Sequence, residues 1–311
     1  MVDEIDEPVW LKQLEHLCEL GLPQAHFQMG QYLCDNGSFS EAFDSFSKGT
    51  DLGSKDSEYQ VGVMLFEGLG TEQNSKRGIE LMKRIADTAD STTDHLRPNA
   101  QFHIGKAYYE GYGVWPDHKR AAEYWLLASE AGNVEAMNML GFFYTRPDTF
   151  DIKKAFHWHR LAARGGSVES LSVLGVFLTE GQGSSRDLAQ AFRCLESAAD
   201  QGSAYAKGQL VYAYYIGQFY QKTKEKALEM LKFESKEEVI EEARKLKFRT
   251  HLACSGVSLA YFLLARCLSR GIAKPEGEFE NLSSEKLYSK AHHFDREMAA
   301  QLQKLVTHGK I

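Results

Sequence analysis

The feature that most constrains this chain is a phrase that recurs at a nearly fixed interval. "VGVMLFEGLG" ends at Gly70, "IGKAYYEGYG" at Gly113 and "LGVFLTEGQG" at Gly183. In each, an earlier glycine (Gly62, Gly105, Gly175) stands the same distance before the closing pair. Related phrases centre on Gly141 ("LGFFYTRPD") and Val211 ("LVYAYYIGQ"), and a weaker one on Ala265. From Gly105 the next three anchors follow at 36, 34 and 36 residues. Such a period is the signature of stacked helix–turn–helix units, each unable to bury its apolar face alone. A Gly-x-Gly that cradles phosphate follows a strand and opens a helix. This one closes a helix in unit after unit, so it is read as a turn.

Within one unit, Ala100, Ile104, Gly105 and Tyr108 make a single stripe on a helix. A glycine inside a helix costs about 1 kcal/mol relative to alanine. It persists where a neighbouring helix must come close, and "AAEYWLLASEAG", with Ala121, Trp125 and Ala128, supplies that neighbour. The spacing predicts two antiparallel helices joined at Gly111 and Gly113, which close the first helix with positive φ.

Other classes fit poorly. Apolar residues make up 43% of 311, enough for a substantial core, and only six prolines occur. The net charge is −7 with no clustered Lys and Arg, which argues against a nucleic-acid surface. The five cysteines (Cys18, Cys34, Cys194, Cys254, Cys267) are odd in number and lack metal-ligand spacing, so they read as small packing residues. A signal peptide and a membrane span of 18 apolar residues are not expected, and the reducing cytosol is the expected compartment. "HWH" places His157 and His159 on different helix faces, so they read as surface or half-buried histidines rather than metal ligands. The sequence shows no nucleophile signature. The expectation is a non-enzymatic chain with no catalytic residue, cofactor or metal.

These residues resemble the Sel-1-like repeats, relatives of the tetratricopeptide repeat. The matching elements are A-x-x-x-L-G-x-x-Y (Ala136, Leu140, Gly141, Tyr144), the E-G-x-G turn, and A-x-x-W-x-x-x-A-A (Ala155, Trp158, Ala162, Ala163). The resemblance covers roughly residues 24 to 295. It implies an all-α, right-handed superhelix (solenoid) of about six to seven helix pairs and a role in protein–protein interaction. A closer similarity, to cytosolic adaptors of the endocytic receptor megalin, rests on "AFHWH", "YAKGQLVYAYY", "FLLARCL" and the two places where the repeats are interrupted. That similarity implies the receptor's cytoplasmic tail as partner.

The chain is accordingly divided into an N-terminal capping helix (1–23), repeats (24–232), an inserted charged helix (233–257), and a last repeat with a C-terminal cap (258–311). Ser235 and Glu238 form a capping-box pattern at the start of the insert. Stacking aligns the free stripe of each first helix along a concave groove. That stripe nominates Phe102, Lys106, Tyr109, Asn138, Phe142, Ser172, Tyr212 and Tyr215 as contacts for an extended peptide. Two alternatives remain beside this reading. One is a structural subunit of a larger complex; the other is a small-molecule binder or enzyme using an insertion as a lid. No nucleic acid or direct membrane insertion is expected.

Overall fold

The fold is taken from a computed structural model, which describes residues 9–88, 91–215, 235–246, 249–271 and 282–310. Among these residues there are sixteen α-helices, one short 3₁₀ turn and no strand. The chain divides into two compact units, Met1–Met139 and Leu140–Ile311.

The first unit begins with α1 (Val9–Glu19), α2 (Pro23–Asp35), α3 (Phe39–Asp51) and α4 (Lys55–Glu67). It continues with α5 (Ser75–Asp87), α6 (Arg97–Glu110) and α7 (His118–Glu130), and α8 (Val134–Phe143) follows. Each of α1 to α6 packs on the next. The second unit holds α9 (Ile152–Arg164), α10 (Val168–Glu180), α11 (Leu188–Asp200) and α12 (Ala204–Tyr215). After these come α13 (Lys236–Lys245), α14 (Thr250–Ser269), α15 (Ser284–Phe294) and α16 (Arg296–Thr307).

The anchor glycines are where helices touch. A Cβ on Gly105 would lie 2.5 Å from the Trp125 ring, and one on Gly175 would lie 2.6 Å from Leu195. The closing pair divides its work. Gly111 takes the left-handed conformation that ends α6, as Gly68 ends α4 and Gly181 ends α10. The second glycine meets the preceding helix pair. A Cβ on Gly70 would fall 2.1 Å from the Phe39 carbonyl oxygen, where α3 starts. Gly113 lies likewise against Lys76 at the start of α5, and Gly183 against Ile152 at the start of α9.

Cap chemistry repeats with the same regularity. Asn74, Asp117, Asp151 and Asp187 cap α5, α7, α9 and α11. Ser54 and Ser167 cap α4 and α10, Asn133 accepts from the Ala136 N–H, and Ser203 accepts from the Ala206 N–H. Each such cap contributes about 1 kcal/mol. The capping box at α13 is present in full, with Ser235 and Glu238 each accepting the other's backbone N–H.

The last repeat begins earlier than its sequence boundary. The helix expected from Ser258 starts at Thr250, because Ala253, Cys254 and Val257 continue its buried face. Gly256 does not break it, since it meets α12 at Gly208: a Cβ on Gly208 would be 2.1 Å from the Gly256 carbonyl oxygen. Among the described residues α14 is the one helix long and apolar enough to cross a bilayer by length and composition. Here Val257, Ala260, Phe262 and Leu263 are buried in the unit's main core, with Leu210, Leu287 and Ala291. Cys194, Cys254 and Cys267 are buried and Cys18 and Cys34 half-buried, all as free thiols.

Candidate functional site

In the first unit α6 carries three of the nominated residues. Its Ala100, Ile104 and Gly105 face inward, which leaves Phe102, Lys106 and Tyr109 half-buried on the other side. None of the three is idle. The Phe102 ring meets His103 edge-on at 5.2 Å, and its carbonyl accepts the Trp125 indole N–H at 3.2 Å. Lys106 reaches α4, 3.5 Å from a Glu67 carboxylate and over the Phe66 ring. Tyr109 packs at 5.3 Å on Trp125 and 5.1 Å on His118. The α6 stripe thus braces helices while keeping part of each side chain in solvent. Asn138 is half-buried on α8, one turn before Phe142.

In the second unit Phe142 stands over a buried histidine. His159 opposes Gly141, as Trp125 opposes Gly105 and Leu195 opposes Gly175. The imidazole is fully buried and meets Phe142 at 4.7 Å and Phe177 at 5.8 Å, both edge to face. Its Nδ1 lies 3.0 Å from the Ser170 hydroxyl, while Nε2 has no hydrogen-bond partner. Burial, then the nearby Arg249 charge, push its pKa down to about 3. The half-buried or surface place expected for His159 is corrected accordingly; His157 is exposed. The motif tryptophan, Trp158, is half-buried beside it, and His159 takes the position facing the glycine.

Above Phe142 lies a residue that sequence reasoning missed. The Arg249 guanidinium sits 4.5 Å from the Phe142 ring centroid, and its backbone N–H donates to the buried Glu169 carboxylate at 3.2 Å. Leu252 packs with Phe142 against Ala155, Val173 and Phe177. No periodicity reveals this, because eighty residues separate Glu169 from Arg249.

Ser172 is corrected. It is completely buried, with its hydroxyl 2.8 Å from the Val168 carbonyl and 2.9 Å from the Ser203 hydroxyl, so a partner cannot reach it. Tyr212 is half-buried, and burial and then Glu180 raise its phenol pKa. The same two causes push Tyr205 up to about 12, and burial also raises Glu180. A carboxylate and two phenols therefore share this part of the unit. Tyr215 ends α12, and its side chain lies outside the described residues. Among the described residues no group of three or more His, Cys, Asp or Glu is placed to hold a metal ion. What the arrangement offers is recognition: aromatic faces beside charged and amide groups, part in water and part held by packing.

Paired helices, glycine contacts at a regular period and interlocked turns define a helical-repeat protein of the solenoid class. A family model of the Sel1 repeat matches residues 23–45, 55–87, 98–133, 134–167 and 168–203, more than half of the chain. The chain belongs to the Sel1-repeat family. A Sel1 repeat protein from Oxalobacter formigenes shares the fold with a TM-score of 0.64, at 24% identity over 89% of this chain and 99% of that one. Two curated relatives, the DAP3-binding cell death enhancer 1 of mouse and of rat, are each 27% identical over 197 residues. Those residues are 63% of this chain and 38% of either relative. These matches do not carry the similarity to a megalin adaptor. Sel1-repeat proteins serve generally as scaffolds for protein–protein interaction.

Proposed function

We propose that this chain is a non-enzymatic adaptor that takes an extended segment of a partner protein against the free stripe of its first helices. The observation that carries this reading is Phe142. Its neighbours Leu140, Gly141 and Phe143 are buried, yet its own ring is half-exposed, held edge-on by His159 and flanked by Arg249. A rigidly held aromatic beside polar groups supports peptide contact, because little entropy is lost when it binds. The sequence similarity nominates the cytoplasmic tail of megalin as the segment and the cytosol as the place of action. Five free thiols accord with a reducing compartment.

The test is capture of a synthetic peptide of that tail by the full chain, compared with the double variant Asn138→Ala/Phe142→Leu. Leucine keeps apolar packing on His159 and removes the aromatic face. The expected result is lost capture with a melting temperature within a few degrees of the parent. Unchanged capture refutes this face, and no capture by the parent refutes the receptor.

A further inference from the structure

The insert before the last repeat ends beside Phe142, and the side chain it delivers there has a charge to satisfy. Arg249 is the N-cap residue of α14, in extended backbone conformation. Its N–H is tied to Glu169, which is itself only 5% exposed, so the backbone at this point is clamped. The guanidinium lies on the Phe142 ring. A guanidinium over a ring is held by cation–π attraction, which uses none of its N–H donors in a conventional hydrogen bond. Among the described residues no carboxylate pairs with this guanidinium, and Arg249 meets Glu169 through its backbone N–H. Arg146, Lys154, Arg244 and Lys245 in the same unit each have an aspartate or glutamate within 4 Å. The charge is felt nearby: it depresses the basicity of His159 beneath Phe142 and of His251 on α14, in each case after burial.

A half-buried, pre-oriented cation with open donors, resting on an aromatic ring, matches one kind of occupant. We propose that Arg249 reads a side-chain carboxylate: this face recognises an extended peptide carrying Asp or Glu next to a large apolar residue. The carboxylate takes the guanidinium donors and the apolar side chain takes the exposed part of Phe142. Charge complementarity selects the acid. The inference rests on the peptide-binding reading above and adds the chemistry of the partner, together with a role for the insert that interrupts the repeats.

The experiment is selection of a random peptide library, displayed on phage away from any free C-terminus, on the immobilised full chain and its Arg249→Met and Arg249→Glu variants. Methionine keeps the apolar stem over Phe142 and removes the charge. The parent is expected to enrich Asp or Glu beside an apolar residue. Arg249→Met should lose that preference, and Arg249→Glu should exchange it for Lys or Arg. Replacing Glu by Gln in a selected peptide should weaken binding to the parent about tenfold and leave binding to Arg249→Met unchanged. Thermal melts of both variants check that they fold. Enrichment without an acidic preference, or an acidic preference that survives in Arg249→Met, overturns the role of Arg249 and leaves peptide binding standing. A parent that enriches no peptide overturns both.

Discussion

Acid should destabilise the second unit through His159, and leucine in its place should remove that contribution. The imidazole is neutral in its slot, with a pKa near 3 against an ordinary value of 6.5. The unfolded chain therefore binds a proton at this position from about pH 6.5 downward, while the folded chain does not until far lower. Stability is complete above pH 6.5 and falls as pH drops through the window from 6.5 to 3. At about 1.4 kcal/mol per pH unit, the loss between pH 7.5 and pH 5 is about 2 kcal/mol. His159→Leu copies α11, where Leu195 faces Gly175. It leaves the Ser170 hydroxyl without its imidazole partner, at a cost of about 1 kcal/mol that does not change with pH. Relative to the variant, the parent should thus lose about 2 kcal/mol between pH 7.5 and pH 5. Urea denaturation at pH 7.5, 6 and 5 measures the difference, and groups common to both proteins, such as His26 and His251, cancel. Amide hydrogen exchange in α9 and α10 assigns the effect to this unit. Equal pH slopes in the two proteins, or a His159 that titrates near 6.5 by NMR, would refute the reasoning.

Two further predictions concern the turns and the insert. Gly70→Ala combines positive φ with a Cβ 2.1 Å from the Phe39 carbonyl, whereas Gly132 has positive φ and open space around it. Gly132→Ala should therefore cost about 1 kcal/mol and Gly70→Ala at least about 3 kcal/mol; equal losses in chemical denaturation would show that the interlock carries no energy. Ser235→Ala should weaken α13 by about 1 kcal/mol, read as faster amide exchange confined to that helix; unchanged rates would mean that the capping box does not hold it.

The helix pairs and their turns were legible because glycine and alanine recur wherever two backbones approach, and that constraint leaves a direct mark on sequence. Asn or Asp at the start of α5, α7, α9 and α11 is an equally regular mark in the sequence. His159 was misplaced for a specific reason. Twenty residues separate Gly105 from Trp125 and Gly175 from Leu195, but eighteen separate Gly141 from His159, because "TRPDTF" is a shorter turn without the glycine pair. Aligning on tryptophan then selects Trp158, one position off the buried face. Ser172 failed for another reason: its stripe position is free only if nothing faces it, and Ser203 does. Arg249 was beyond reach of any local pattern, since its place follows from where a distant helix begins.

The second glycine of each turn has one more implication. Gly70 rests on α3, Gly113 on α5 and Gly183 on α9, always on the pair that came before and never on the one that follows. The array therefore has a polarity. Trimming helix pairs from the C-terminal side leaves every remaining turn on its seat, while trimming from the N-terminal side strips the next turn of its support. A gene that grows or shrinks by whole repeats meets less resistance at one end than at the other.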